Sequence, residues 1–562
     1  MHGRLKVKTT AEQQEAKRKE REKKLKIYNA ATATVFAKKS KGEYDEEALS
    51  ITGEILAANS DVYTLWNYRK EIFLHFVESK NKEELQKLFN NELYFLETCL
   101  KGNPKSYGTW NHRCFVMDTM PEPDWQHELM LCNKFLEYDE RNFHCWDYRR
   151  FVVKRSKVTP EVELEFTTNK ISSNFSNYSS WHYRSKLLPL VHPDPRNPSR
   201  VKEDVLLAEH EIVQNAFFTD PDDQSAWFYH RWLLGRGEKT QSISHLIVSR
   251  QSARVTVSFT KHIQVGVKHK LVLEVNGSKV DADWKNQQGK NTFSTLWICN
   301  SVDLPEDQEV KVTVLLDECD CSREILLKPG CPVGAYVCPV ARTSMFSDEM
   351  STATSDVLQA ELSSVQELFQ LEPENKWAIL TIVLLMRALD MHKHEAETMQ
   401  LIDRLQQLDG TRRNYYQDLR SKYQVENIVD RMEIQQTSLD LSWKELSMMC
   451  HHELLPFITE LNLAGNHITH VKKFEFLQNL KKLNLDGNKI SDVTPLSYLP
   501  ELTDLSLKDN SLSSKESVTP LQLCLKLRTL YLVGNPVSRE TSYPRCLQDV
   551  LPSVVIDNIP NQ

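Results

Sequence analysis

Four tetrapeptides in the first half of the chain decide its fold: Trp66-Asn67-Tyr68-Arg69, Trp110-Asn111-His112-Arg113, Trp146-Asp147-Tyr148-Arg149 and Trp181-His182-Tyr183-Arg184. They share one Trp-x-x-Arg frame, and successive tryptophans are 44, 36 and 35 residues apart. A fifth, degenerate copy is Trp227-Phe228-Tyr229-His230, in which Arg231 comes one position late. A repeat of about 35 residues, with helical apolar periodicity before each copy, predicts a solenoid of stacked α-helical hairpins.

An aromatic residue stands three positions before each of the four tryptophans, at Tyr63, Tyr107, Phe143 and Tyr178. Positions i−3, i and i+3 lie on one face of a helix, so the aromatic residue, the tryptophan and the arginine form one stripe. The structural interpretation is that the tryptophan fills the seam between neighbouring hairpins and the arginine bonds to the adjacent turn. The stripe is therefore strong evidence for a structural repeat and weak evidence for a catalytic site.

The pattern changes to a period of two at about residue 242. Residues 253–259, 271–275 and 310–314 alternate between apolar and polar side chains, and Asn276-Gly277 is a hairpin-turn signal. These features predict an inserted, Ig-like antiparallel β-sandwich over 242–345. Four of its cysteines, Cys319, Cys321, Cys331 and Cys338, lie close together in sequence. Their spacing lacks the paired C-x-x-C knuckles of a zinc site and no histidine lies among them, so we expect no metal ligand in this chain.

Helical periodicity resumes over 346–441, where Trp377 begins a sixth copy with Leu380 in place of the arginine. The tail, 442–562, contains four L-x-L-x-x-N motifs, whose asparagines are Asn466, Asn488, Asn510 and Asn535. This pattern predicts leucine-rich repeats, with the leucines inside and the asparagines bonded to the backbone of neighbouring turns. The expected fold class is multidomain and mainly α. Helical hairpins form residues 1–241 and 346–441, and the sandwich and the leucine-rich tail are additions.

Composition excludes several classes of protein. The 562 residues include 70 basic and 77 acidic side chains, for a net charge of −7, which disfavours a nucleic-acid binder. The longest apolar run, residues 377–386, has about half the length that a bilayer-spanning helix needs. No apolar signal segment opens the chain, and the basic residues 17–26 are interpreted as a solvated extension. We expect a cytoplasmic protein without stable membrane insertion, whose twelve cysteines are mostly reduced.

The hairpin stripe resembles the repeats of protein prenyltransferase α subunits, over about residues 44–240 and again over 363–394. The inserted sandwich and the leucine-rich tail resemble the Rab geranylgeranyl transferase branch of this family. The resemblance implies a crescent of hairpins around a β subunit that binds the catalytic zinc. It also implies transfer of geranylgeranyl from geranylgeranyl diphosphate to C-terminal cysteines of Rab GTPases, which a Rab escort protein presents.

The resemblance further implies residues of an active site. In the family, a lysine two positions before the aromatic residue of the second hairpin contacts the diphosphate, and the matching residue is Lys105, with Tyr107 beside it. A histidine of the third hairpin lies near the same rim, which matches His144. Phe143 replaces a tyrosine of the family, so any role of a phenol at that position is lost. A lysine ammonium suits the charge that grows on a departing diphosphate, although lysines at turns are usually only solvated.

The alternative hypothesis is a non-catalytic interaction scaffold, because helical and leucine-rich repeats both serve as binding surfaces. Tetratricopeptide repeats use a different residue pattern at 34 residues, so the Trp-x-x-Arg frame favours the enzyme subunit. The sequence contains no Gly-rich phosphate loop, H-E-x-x-H or G-x-S-x-G motif. We therefore expect a prenyltransferase subunit that is active only in complex with its β subunit.

Overall fold

A computed structural model of the chain describes residues 11–195, 197–235, 241–266, 269–286, 288–317, 321–337, 355–433, 436–455 and 457–557. The chain divides into two compact units, Met1–Ala208 and Glu209–Gln562. The domain boundary expected at 345/346 lies outside the described residues, as do Cys319 and Cys338. The boundaries expected at 241/242 and 441/442 stay predictions.

The first unit is built from antiparallel helical hairpins. Its helices are α1 (Ala11–Lys41), α2 (Glu46–Ala58), α3 (Tyr63–Ser79), α4 (Lys82–Gly102), α5 (Tyr107–Thr119), α6 (Trp125–Tyr138), α7 (Phe143–Ser156), α8 (Pro160–Ser173) and α9 (Tyr178–Val191). Two short strands follow, β1 (Pro193–Asp194) and β2 (Asn197–Val201). Helices α3, α5, α7 and α9 each begin at the aromatic residue that precedes the repeat tryptophan by three positions. The side chains of Ser106, Asn142 and Asn177 cap α5, α7 and α9, so these starting points follow from the local sequence.

Each repeat tryptophan of the first unit is buried, and its indole N–H donates to a carbonyl oxygen six residues earlier in the turn. The bonds are Trp66 Nε1 to Ser60 O (2.8 Å), Trp110 Nε1 to Pro104 O (2.9 Å), Trp146 Nε1 to Glu140 O (2.8 Å) and Trp181 Nε1 to Phe175 O (2.7 Å). The Trp146 ring also packs against the rings of Phe166 and Tyr183 from the next hairpin. The prediction that the tryptophans fill the seams is confirmed.

The prediction for the arginines was wrong for the first three repeats, where the arginine pairs chiefly with a buried glutamate of the following hairpin rather than with a turn. The pairs are Arg69 with Glu92, Arg113 with Glu128 (2.7 and 2.6 Å) and Arg149 with Glu163 (2.9 and 2.6 Å). Burial alone would raise the pKa of Glu92, but Arg69 and His112 lower it to about 2. The glutamate of each pair precedes the next tryptophan by 18 residues. In the sequence it is one of several polar residues on an amphipathic helix, so its burial could not be predicted.

The helices of the second unit surround the insertion in sequence. They are α10 (Glu203–Thr219), which spans the residues at the unit boundary, α11 (Gln224–Leu234), α12 (Ser355–Leu371), α13 (Lys376–Leu389), α14 (Glu395–Leu408) and α15 (Arg413–Arg431). Asn375 caps α13, and its amide donates to Pro221 O at 2.9 Å. The same carbonyl accepts from Trp227 Nε1 at 2.9 Å. The hairpin pattern therefore resumes after the insertion, as predicted.

The insertion is a β-sandwich of two four-stranded antiparallel sheets. Its strands are β3 (Ile243–Ser249), β4 (Arg254–Ile263), β5 (Leu271–Val275), β6 (Ser278–Val280), β7 (Ser294–Cys299), β8 (Val310–Leu316), β9 (Cys321–Leu327) and β10 (Val333–Val337). One sheet has the order β10-β3-β4-β7 and the other β6-β5-β8-β9, and both contribute to one buried core. Asn276 and Gly277 join β5 to β6 with positive φ angles of 52° and 79°, as the predicted turn requires.

The tail is a leucine-rich repeat sheet of six parallel strands. They are β11 (Ser438–Asp440), β12 (Glu460–Asn462), β13 (Lys482–Asn484), β14 (Asp504–Ser506), β15 (Thr529–Tyr531) and β16 (Val555–Ile556), and the short helices α16 (Lys515–Val518) and α17 (Arg545–Gln548) lie between them in sequence. Asn488 bonds neighbouring turns through Leu463 O (3.0 Å) and Leu485 O (2.9 Å), as predicted. The mainly α fold class with two additions is confirmed. Every helix of the described residues is too short or too polar to cross a lipid bilayer.

Candidate functional site

Lys105 lies in the turn that joins α4 to α5. Asn103 shapes this turn by accepting a hydrogen bond from the backbone N–H of Lys105 at 3.3 Å. The Lys105 side chain is 67% exposed, and its Nζ is 3.7 Å from Oδ2 of Asp139. An exposed ion pair of this length contributes little free energy, so the ammonium can exchange Asp139 for an anionic ligand at low cost.

One carbonyl oxygen of the Lys105 turn accepts a hydrogen bond from its own hairpin and a second one from the residue that caps α7. Pro104 O accepts from Trp110 Nε1 and from Asn142 Nδ2, each at 2.9 Å. The other end of the Asn142 amide accepts from the backbone N–H of His144 at 3.1 Å and so caps α7. One side chain therefore both begins the helix and positions its first turn against Lys105.

Three rings lie beside this lysine. The Tyr107 and His144 rings are in edge-on contact with their centroids 4.2 Å apart, and the Phe143 ring is 4.0 Å from His144. Tyr107 and Phe143 are half-exposed, whereas His144 is 6% exposed. We call Lys105, Tyr107, Phe143 and His144 the Lys105 patch. It presents a flexible cation, a phenol and an apolar ring to solvent above a buried imidazole.

The surroundings of the imidazole in the Lys105 patch favour its neutral form. Burial lowers the pKa of His144, and the charge of Lys105 lowers it further, while Asp147 acts in the opposite direction. A neutral imidazole can donate one hydrogen bond and accept another. Lys105 is thus the permanent positive charge of the patch. A cation beside hydrogen-bond donors suits a phosphate-bearing ligand.

All three residues that the sequence indicated, Lys105, Tyr107 and His144, are brought together by the fold. Sequence reasoning missed Asp139, whose carboxylate is the ion-pair partner of Lys105. Arg141 is an exposed residue two positions before Phe143, the place that Lys105 takes before Tyr107, and the repeat frame indicates this match. The catalytic roles of these residues stay predictions.

Family models match most of the chain in three parts. Residues 45–76, 89–120, 125–156, 160–190 and 206–237 match the protein prenyltransferase alpha subunit repeat. Residues 243–332 match the insert domain of the Rab geranylgeranyl transferase alpha-subunit. Residues 454–558 match a leucine-rich repeat model. The Lys105 patch lies in the second and third of the five matched repeats.

Relatives that align with nearly the whole chain identify its family. The chain is 47% identical to the geranylgeranyl transferase type-2 subunit alpha of Bos taurus over 99% of each chain. The chain belongs to the family of geranylgeranyl transferase type-2 alpha subunits. The human member is also 47% identical over 99% of each chain, and the member from Dictyostelium discoideum is 43% identical over 42% of this chain and 75% of its own length. The predicted membership in the Rab branch of the prenyltransferase α subunits is confirmed.

Proposed function

We propose that this chain is the α subunit of a cytoplasmic Rab geranylgeranyl transferase. The enzyme transfers geranylgeranyl from geranylgeranyl diphosphate to C-terminal cysteines of Rab GTPases, which a Rab escort protein presents. Its partner is a β subunit, which holds the zinc ion. The observation that carries the proposal is the Lys105 patch, an exposed cation beside a phenol. Support also comes from the names of relatives that match the chain from end to end.

The charge of the reaction explains the need for Lys105. The thiolate sulfur attacks C1 of the isoprenoid as the bond from C1 to the diphosphate oxygen breaks, and both electrons of that bond leave with the diphosphate. A zinc ion bound by the β subunit would stabilise the thiolate. Because negative charge grows on the departing oxygens, the Lys105 ammonium binds the transition state more strongly than the ground state. The Tyr107 hydroxyl can donate a further hydrogen bond, and its edge contact with His144 orients the ring.

Reconstitution with the β subunit tests this function. We expect the co-expressed pair to transfer labelled geranylgeranyl to a Rab GTPase in the presence of its escort protein, and each subunit alone to transfer none. The label should be lost when the C-terminal cysteines of the Rab are replaced by serine. An assembled pair that binds Rab and its escort without transferring the isoprenoid would instead support the scaffold hypothesis.

The inserted sandwich should be dispensable for this activity. The Dictyostelium relative aligns over 236 residues that make up 75% of its length, so that protein is too short to hold both additions. We expect that replacing residues 242–339 with a short Gly/Ser linker leaves a heterodimer with at least half of the wild-type turnover. Turnover and assembly with β are measured on the same preparation.

The control for this deletion is a full-length chain in which the sandwich is unfolded. Trp297 is fully buried in the sandwich core, so Trp297→Ala should unfold the sandwich without removing it. If the deletion removes most of the turnover and Trp297→Ala does the same, the sandwich completes the catalytic core and this prediction is wrong. The leucine-rich tail needs a separate test, because its core includes Val425 and Val429 of α15 and a truncation would expose them.

A further inference from the structure

Helices α10, α11 and α12 bring together His210, His230 and Glu361, which lie far apart in the sequence. His230 Nε2 is 2.6 Å from Oε2 of Glu361, and His210 Nδ1 is 3.3 Å from Oε1. The three residues are 3%, 1% and 4% exposed. One potential ligand atom from each residue lies within 4.8 Å of the other two. Two imidazoles and a carboxylate are a common protein donor set for zinc.

This cluster replaces an arginine–glutamate pair. His230 stands three positions after Trp227, where earlier repeats have Arg113 or Arg149 paired with a buried glutamate. Among the described residues, no lysine or arginine nitrogen lies within 4.0 Å of the Glu361 carboxylate, whose ion-pair partners are the two imidazoles. A buried carboxylate needs a compensating cation, and here the chain supplies no permanent one.

Two ring nitrogens of the cluster lack partners. His210 Nε2 and His230 Nδ1 are buried without a hydrogen bond, and His210 Nδ1 makes the 3.3 Å contact with Glu361 without a well-formed hydrogen bond. Buried polar atoms are rarely left without a partner, because each one costs free energy. The carboxylate is also held in place by Gln214, whose Nε2 donates to Oε1 of Glu361 at 2.8 Å. Such a bond orients a metal ligand when it comes from a residue outside the coordination sphere.

We propose that His210, His230 and Glu361 bind a zinc ion that fastens α12 to α10 and α11. Zinc–ligand bonds of about 2.0–2.2 Å place the ligand atoms of a tetrahedral site about 3.3 Å apart. With Oε1 of Glu361 as the ligand, the His210–Glu361 contact already has that spacing, and with Oε2 the His230–Glu361 contact must open by less than about 1 Å. A water molecule completes the coordination. The ion supplies the missing positive charge and uses the ring lone pairs, and it joins the helices that flank the sandwich in sequence.

Zinc content of the full-length chain tests the proposal. The chain is equilibrated with zinc, freed of loosely bound metal and measured by plasma mass spectrometry. We expect His210→Leu and His230→Arg each to contain about one zinc fewer per chain than the wild type. His210→Leu keeps the His230–Glu361 bond, and His230→Arg restores the pairing of the other hairpins, so both should fold. The control His182→Gln changes an exposed histidine of the first unit and should leave the zinc content unchanged.

A second readout keeps the test decisive if one variant folds poorly. Cobalt(II) added to the wild-type chain should give the strong visible absorption of a four-coordinate ion, and His210→Leu should not give it. Zinc should raise the unfolding midpoint of the wild type and not that of His210→Leu. Equal zinc contents in the wild type and in folded His210→Leu would overturn the proposal. The absence of cobalt absorption in the wild type would overturn it as well, and the cluster would then be a hydrogen-bonded network only.

Discussion

Trp146→Ala is expected to lower the free energy of unfolding by about 3–5 kcal/mol. The Trp146 side chain is 1% exposed and is among the largest fully buried side chains of the described residues. Little of the cost comes from the lost indole hydrogen bond, because its acceptor, Glu140 O, keeps the bond from Asn177 Nδ2 at 3.1 Å. The cost arises from the cavity between two hairpins and from the lost burial of apolar surface.

The shift of the thermal unfolding midpoint of the full-length chain measures this cost. Tyr138→Ala is the matched control, because Tyr138 is 80% exposed, and it should change the stability by no more than about 0.5 kcal/mol. The activity of the Trp146→Ala heterodimer should follow the fraction of folded protein. A stable and fully assembled Trp146→Ala variant with strongly reduced turnover would show that Trp146 acts in the chemistry rather than in the seam.

The hairpins could be predicted from the sequence because their determinants are local and repeated. A tryptophan recurs at nearly constant spacing, and a capping residue such as Ser106 or Asn142 stands just before the helix that contains it. The sandwich and the leucine-rich tail were predictable for the same reason. The strand periodicity and turn residues of the sandwich, and the regularly spaced asparagines of the tail, can be recognised in short stretches of chain.

Pairings between distant elements could not be predicted. His230 and Glu361 are 131 residues apart, with the whole sandwich between them, and periodicity carries no information about that contact. The arginine–glutamate pairs were missed for a related reason. Glu128 and Glu163 are each one of several polar residues on an amphipathic helix, where an exposed side chain is the more common outcome.

The candidate site was identified by resemblance rather than by physical chemistry. Lys105 alone is an ordinary lysine at a turn, and nothing in its neighbours distinguishes it in the sequence. Its environment depends on Asn142, whose side-chain amide donates to Pro104 O, 38 residues earlier in the sequence. Only the packing of the second and third hairpins brings His144 and Asp139 close to Lys105.

Lys105→Ala is expected to reduce the rate of geranylgeranyl transfer by about 10- to 1000-fold in the assembled heterodimer. The lost interaction stabilises charge that develops only as the diphosphate departs, so the affinity for geranylgeranyl diphosphate should change by a few-fold at most. Folding and assembly with β should be normal, because the side chain is mostly exposed and its only ion pair within 4.0 Å, among the described residues, is the long contact with Asp139.

Two further variants distinguish the role of Lys105 from a general effect of removing a positive charge. Lys105→Arg should recover part of the lost rate, because the guanidinium keeps the charge but has a different reach and geometry. Lys101→Ala is the matched control, since Lys101 is an exposed lysine in the last turn of α4, four residues before Lys105. It should transfer the isoprenoid at the wild-type rate.

The most direct measurement is the single-turnover rate of transfer from a pre-formed complex of the heterodimer with geranylgeranyl diphosphate to Rab bound to its escort protein. This rate reports the chemical step without contributions from isoprenoid binding or product release. We expect a low rate of transfer in Lys105→Ala, a partly recovered rate in Lys105→Arg and the wild-type rate in Lys101→Ala. An unchanged rate in Lys105→Ala would mean that Lys105 is only a turn residue and that the Lys105 patch does not face the departing diphosphate.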